Sequence, residues 1–436
     1  MAETDRTLSN RIMAGLVIGA LAGMATLLLG RWQPAALAFM KEVSTSVFDP
    51  IGQVFLRLLF FVVIPLVFTS LAAGVAQLGR LDRLGSLAGR TFSLFFLNMA
   101  IAVALGLMMM NLLRPGDHLD AAAKTMLMDE FGGAARRHVA TAAATPGVTL
   151  SGLVEMFMPK NLFGSVMGHS NAALGEVLPL IVFALLVGTV GAGLPEGRRA
   201  GLLAALDLVS ELMTGIVRLA LRLAPVAVPL MIYSVVVKVG LDILVALGVF
   251  ALGCLGVMLL HLFGTMSLWL KFWTGRRPPD FFREVRGVLV TAFSTSSSNA
   301  TLPAALECAK GPLGLRPSVA GFVLPLGTTM NMSGTALYEG CVVLFVAQVF
   351  GVDLSVGQQF TLLLLSVLSA VAVAGIPGGS LPLIAGLLVT FGIPPEGIGV
   401  VLGVDRILDM SRSMTNVGCD LVTTAVVDAQ ERKSEA

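Results

Sequence analysis

"TAFSTSSSNATLPAAL", residues 291–306, is apolar at both ends and broken in the middle by serines, an asparagine and a proline. Such a stretch cannot cross a bilayer as one helix, because broken backbone leaves amides and carbonyls that hydrocarbon cannot satisfy. At membrane depth it survives only inside protein or beside a water-filled cavity. "AVAGIPGGSLPLIAGLL", residues 372–388, has the same character, with Gly and Pro as the breakers. Both read as re-entrant helical hairpins. Each leads into a long apolar segment with a polar centre, "GTTMNMSGTALYEG" (327–340) after the first and "DMSRSMTNVGCD" (409–420) after the second. Interrupted segments at corresponding places in two halves point to a midplane binding site between inverted repeats. The competing reading of a Ser/Gly run is a close-packing helix surface. Two such runs, each followed by a polar helix, weigh against it.

The rest of the chain fits a membrane setting. Of 436 residues, 56% are hydrophobic and only 13% charged, with a mean hydropathy of +0.88, which places the chain outside soluble globular composition and predicts an all-α polytopic membrane protein. Apolar stretches long enough to cross a bilayer occur near 12–30, 46–76, 88–113, 172–194, 200–231, 236–272, 318–350 and 398–427, about eight spans. The N-terminus lacks the basic start and small-residue cleavage site of a signal peptide, so the run from Ile12 to Gly30 is kept as the first membrane helix. Arg80, Arg83 and Arg90 follow the second span, Arg198 and Arg199 the fourth, and Arg276, Arg277, Arg283 and Arg286 the sixth. Alternate loops are therefore the basic ones, which predicts that both termini are cytoplasmic. Arg114 to Leu150 is polar and Ala/Gly-rich, suiting an external loop.

Some functions are excluded at this level. A net charge of +2 without a basic block offers nothing to a phosphate backbone, so no nucleic-acid partner is expected. Cys254, Cys308, Cys341 and Cys419 have neither zinc nor disulfide spacing and read as free buried thiols. His118, His138, His169 and His261 are equally scattered, so no metal centre or cofactor is predicted beyond a possible sodium ion. No His lies in either hairpin or the helices after them to activate a serine, and an enzyme is not expected.

Asp405, Asp409, Arg412, Ser413, Asn416 and Asp420 share a sector of roughly 100° on the last helix. One ionised side chain at midplane costs at least about 2.5 to 3.5 kcal/mol on insertion scales, so this row must face protein, water, ions or ligand. A purely structural network, with Asp409 and Arg412 neutralising each other at i and i+3, is the bland alternative. An excess of acids over the single Arg of the stripe argues for a cation instead. An ion channel with a carbonyl-lined filter is the alternative of another class; Arg412 beside Asp409 favours a zwitterionic solute.

"FLRLLFFVVIPLVFTSL" (55–71), "TSSSNATLP" (295–303), "LPLGTTMNMSGTALYEG" (324–340), "AGIPGGS" (374–380) and "DRILDMSRSMTNVGCD" (405–420), in that order, closely resemble the dicarboxylate/amino acid:cation symporter family of glutamate and aspartate transporters. The resemblance covers nearly the whole chain. It implies the elevator-type glutamate-transporter fold: a homotrimer in the lipid bilayer, each protomer with eight membrane helices and two re-entrant hairpins. On this resemblance residues 1–87 hold scaffold helices 1 and 2, 88–113 form transport helix 3, 114–231 hold the external loop and scaffold helices 4 and 5, and 232–436 form the core of the moving transport domain.

The resemblance also assigns residues. It puts Arg412 on the substrate's side-chain carboxylate, Asp409 on its amino group and Asn416 on its main-chain carboxylate. Thr335, Ser297, Ser298, Ser413, Gly378 and Ser380 complete the substrate contacts. The chemistry agrees, since a guanidinium fork suits carboxylates and a carboxylate suits an ammonium. Relatives for neutral amino acids lack this Arg and dicarboxylate relatives lack the acid at Asp409, so the implied substrate is glutamate or aspartate; a sodium-coupled dicarboxylate or neutral amino acid carrier is the alternative. Gly327, Asn331, Asn416 and Asp420 resemble one complete sodium site, and Thr329 part of a second; oxygen ligands suit a small hard cation. At a third site the family's usual Asp is Ser333, and its helix-3 partners align with Phe95, Asn98 and Met99, so that site is expected to be absent. Glu339 stands where proton-carrying relatives have Glu. Coupling to protons, with few or no sodium ions, is therefore expected in a prokaryotic inner membrane.

Overall fold

The computed structural model describes residues 2–77, 85–119, 177–240, 242–373 and 378–435, with a few isolated positions between 120 and 176. Among these residues the regular structure is helical, with no strand. Arg114 to Leu119 continue the preceding helix as a turn, while most of the expected external loop and residues 374–377 of the second broken stretch lie outside the described residues.

Helix α1 is Ala2–Gly30 and α2 is Pro34–Val43. The expected second span is not one helix: a π turn at Ser44–Phe48 leads into α3, Asp49–Phe61, and α4, Val63–Gln77. Pro65 explains the second interruption, because it has no N–H for the carbonyl of Phe61 and its ring crowds that carbonyl. Helix α5 is Gly85–Leu113 and α6 is Val177–Ala192. Helix α7, Glu196–Val239, is 44 residues long and carries Pro225 and Pro229 internally. It absorbs residues 236–239, which the sequence reading gave to the next span; the chain turns at Gly240, whose φ of 105° favours glycine. Helix α8, Asp242–Leu259, is prolonged to Thr274 by π turns on either side of Met266–Trp269.

The two broken stretches and the helices after them form the remainder. Helices α9 (Pro278–Thr295) and α10 (Ser298–Lys310) pack against each other across a break at Ser296 and Ser297. Helices α11 (Pro317–Met330) and α12 (Ser333–Val349) are interrupted at Asn331 and Met332, so the seventh expected span is two helices. Helices α13 (Val356–Ala372) and α14 (Leu381–Thr390) flank the second break, and α15 runs Ile398–Glu435.

Leu87–His118, Glu196–Val217, Asp242–Thr274 and Pro317–Val349 are long and apolar enough to cross a membrane, and shorter apolar helices cover Ala14–Gly30, Val182–Ala192, Val356–Val371 and Leu381–Thr390. Leu29, Trp32, Leu252, Phe272 and Val290 are each more than half exposed on the outside, a surface suited to lipid rather than water. Helix packing inside lipid has no hydrophobic drive and relies on close approach. Gly15, Gly19 and Gly23 put one bare face of α1 against α7; a Cβ on Gly19 would lie 2.4 Å from the Pro229 carbonyl oxygen. Helices α1, α3 and α4 all pack on α7, and α4 packs on α6. Helix α15 is surrounded by α8, α9, α11 and α12, and all 17 residues of α12 are buried. An evenly apolar helix with no solvent face belongs in such an interior.

Candidate functional site

Three interruptions meet beside α15. Ser296, the residue that ends α9, takes a left-handed conformation at φ 50° and ψ 34°, uncommon for a residue with a Cβ and typical of functional sites. Ser297 next to it is the N-cap of α10, its hydroxyl accepting from the Ala300 N–H at 3.2 Å. At the second interruption the opening amides of α12 are satisfied by another helix: Asn416 Oδ1 accepts from the N–H of Gly334 at 2.7 Å and of Thr335 at 3.4 Å, and its Nδ2 donates to the Thr335 hydroxyl at 3.1 Å. Gly378 turns the second break at φ 72°, with its backbone N–H toward the Asp409 carboxylate.

Between these breaks lies a small, partly open cavity. Ser296 and Ser298 line it from the first broken stretch, Met332 and Thr335 from the second interruption, and Val373, Gly379 and Ser380 from the third. Helix α15 contributes Asp409, Arg412, Ser413 and Asn416. Polar and charged side chains dominate this lining, which suits a small polar solute. Of the expected substrate contacts, seven reach this cavity: Arg412, Asp409, Asn416, Thr335, Ser298, Ser413 and Ser380. Ser297 and Gly378 do not line it, while Ser296 and Gly379 beside them do.

Arg412 is 2% exposed and held from several sides. Its Nη2 donates to Asp409 Oδ1 at 2.6 Å and Asp405 Oδ1 at 3.3 Å, and its Nη1 donates to the Ser380 hydroxyl. The Tyr338 ring lies 4.1 Å below the guanidinium, a cation–π distance, and the Tyr338 hydroxyl donates to Asp405 Oδ1 at 2.8 Å. The stripe is thus tied to the second broken stretch and open to the cavity.

Arg406 joins the charges of the stripe: its Nη1 donates to Asp409 Oδ2 at 3.3 Å, so Asp405 and Asp409 are matched by two guanidiniums and the excess acid of the stripe is Asp420. Arg406 falls just outside the stripe on a helical projection, but a long side chain reaches a neighbour three residues on. Only Asp420 stands apart from this neutral set.

Asp420 lies with Gly327 and Asn331. Its Oδ1 accepts from Asn331 Nδ2 at 2.8 Å, while its buried Oδ2 has no hydrogen-bond partner among the described residues. A Cβ at Gly327 would sit 2.5 Å from Asp420 Oδ1, so only glycine permits this approach. The Gly327 carbonyl accepts from the Asn331 N–H at 3.0 Å, and the Thr329 hydroxyl donates to the Leu326 carbonyl at 3.0 Å. Asn416 stands one turn away with its oxygen on α12. The network extends further than the sequence reading: Asn331 Oδ1 accepts from Asn98 Nδ2 at 2.8 Å, and Asn98 Oδ1 lies 2.9 Å from His261 Nε2. His261 and Asn98 are both fully buried, and a polar residue inside an apolar run needs such a partner. The Phe95 and Met99 side chains are buried, apolar neighbours of Asn98 on α5, and the Ser333 hydroxyl has no partner among the described residues. Glu339 is fully buried, and neither of its carboxyl oxygens has a hydrogen-bond partner among the described residues. All four cysteines are free and buried.

A helical integral membrane protein with paired charges around a small polar cavity, reached by three backbone breaks, is built as a membrane carrier. The chain belongs to the sodium:dicarboxylate symporter family, whose sequence model matches residues 8–430. This is a family of transporters and not of enzymes. The chain is 31% identical over 410 residues to a proton/sodium-glutamate symport protein of Bacillus caldotenax, covering 93% of this chain and 90% of that protein. It is 30% identical over 398 residues to the proton/glutamate-aspartate symporter of Escherichia coli strain K12, covering 89% and 86%. Over 434 residues it is 27% identical to a C4-dicarboxylate transport protein of Bacillus subtilis strain 168, covering 99% and 95%.

Proposed function

We propose that this symporter carries glutamate or aspartate across a prokaryotic inner membrane, driven by protons with few or no sodium ions. The observation that carries the reading is the pairing of Arg412 with Asp409 on the wall of one small cavity. An acidic amino acid presents carboxylates and an ammonium; Arg412 takes its side-chain carboxylate, Asp409 its ammonium, and Asn416, Thr335 and the serines of the first break its main-chain end. Charges removed from water are tolerated only when paired, and the site supplies each partner. Relatives named for glutamate and aspartate support the same substrates.

In this reading α9–α10 and α13–α14 are re-entrant hairpins, eight further segments span the bilayer, and both termini are cytoplasmic. Residues 1–87 and 114–231 belong to a trimeric scaffold, while 88–113 and 232–436 belong to a transport domain that moves as an elevator. Asp420, Asn331 and Gly327 would receive a sodium ion if one is carried, with Asn416 and Thr329 nearby. Ser333 and the apolar Phe95 and Met99 leave a third cation without a carboxylate. Glu339, buried without a hydrogen-bond partner among the described residues, crosses as the neutral acid and so brings a proton inward. The test is uptake of radiolabelled aspartate into proteoliposomes under an imposed pH gradient and, separately, an imposed sodium gradient. The expected result is uptake driven by acid outside with little response to sodium; uptake that requires three sodium ions and ignores pH overturns it. Trans-stimulated exchange distinguishes a carrier from a channel.

A further inference from the structure

Asp409 has both carboxylate oxygens engaged by guanidiniums, Oδ1 by Arg412 at 2.6 Å and Oδ2 by Arg406 at 3.3 Å. The two arginines differ in one respect: Arg412 lines the cavity and Arg406 does not. A solute that takes Arg412 frees Oδ1, but nothing in the cavity competes for Arg406, which stays on Oδ2. Arg406 is also mostly buried, with a side-chain exposure of 13% and a buried Nε without a hydrogen-bond partner among the described residues. Its charge is therefore only weakly screened by water. The other groups facing Asp409 are the neighbouring Asp405 carboxylate and the Gly378 backbone N–H.

We infer that Arg406 is a specificity-determining positioning residue: by holding Asp409 from behind, it lets the site accept dicarboxylates without an amino group alongside acidic amino acids. This rests on the acidic-substrate reading above and deepens it. An unneutralised Asp409 attracts an ammonium and repels a solute that presents only C–H there. A guanidinium fixed on its far oxygen weakens both effects, and their difference is the discrimination between the two solute classes.

The test measures binding of L-aspartate and of succinate to the purified full-length protein by calorimetry, in wild type, Arg406→Gln, Arg406→Met and Arg406→Lys. The readout is the ratio of the succinate to the aspartate dissociation constant. It is expected to rise about tenfold in the two neutral variants and to keep its wild-type value in Arg406→Lys, which retains the charge. The rise is expected to vanish when Arg406→Gln is placed in an Asp409→Asn background, because the two residues act through one contact. Either neutral variant carries the test, and thermal unfolding checks that it is folded. An unchanged ratio in the neutral variants, or a shift in Arg406→Lys as large as in Arg406→Gln, overturns the inference. A wild-type protein that binds neither solute overturns the acidic-substrate reading itself.

Discussion

At the scale of single residues, the site is organised around Arg412. It sits against Asp405, Asp409, Ser380 and the Tyr338 ring, so its fork is fixed in direction before any solute arrives. Arg412→Ala is expected to weaken aspartate binding at least about 30-fold, since truncating one partner of a charge pair buried on binding costs about 2 to 5 kcal/mol. Equilibrium binding checks this; unchanged affinity removes Arg412 from the site. The polar stripe was legible because ionised side chains in an apolar helix stand out and helical periodicity assigns them a face. Arg406 was not, since periodicity locates the Cβ and not the end of a long side chain. His261 was set aside as one of four scattered histidines, and nothing local in the sequence pairs it with Asn98, 163 positions away.

At the scale of elements, function depends on helices that stop. The breaks at Asn331 and in the second broken stretch leave backbone N–H groups that α15 receives, Asn416 taking those of the opening turn of α12 and Asp409 that of Gly378. The first and third interruptions were announced by Ser, Gly and Pro in apolar surroundings; the one at Asn331 was not, since its polar residues read as the centre of a single span over 318–350. The divided second span and the extent of α7 were not, because hydropathy is continuous through Phe61–Val63 and Pro229–Val239 while the backbone changes there. The α1–α7 contact carries a prediction of its own: even Gly19→Ala places a Cβ against the Pro229 carbonyl, and overpacking of this kind costs about 1 to 3 kcal/mol. A lower midpoint of thermal unfolding in detergent is expected for Gly19→Ala and a larger drop for Gly19→Leu. Wild-type midpoints for both show that the helices can part at no cost.

At the scale of the whole molecule, the binding cavity and the buried Glu339 both depend on α12, where Thr335 lines the cavity and Glu339 follows one turn later. If Glu339 carries the proton, protonation outside and release inside make uptake rise when the outside is acid relative to the inside. Glu339→Gln, which mimics the neutral acid permanently, is expected to keep aspartate binding within a few-fold while losing the acceleration by an inward proton gradient in proteoliposomes. Retention of that acceleration assigns the proton to another group.

The sequence by itself determined that this is a helical membrane protein with a twice-repeated motif of interruption and polar helix, because insolubility of charge and broken backbone in lipid leaves few places for such residues. Its motifs were also enough to place the chain among symporters. The tertiary structure alone decided which carboxylate each guanidinium holds, that Asn98 and His261 extend the Asp420 network, and that the bare glycine face of α1 meets α7. Those are choices among distant partners, made by side-chain reach and close packing, and local sequence patterns carry no record of them.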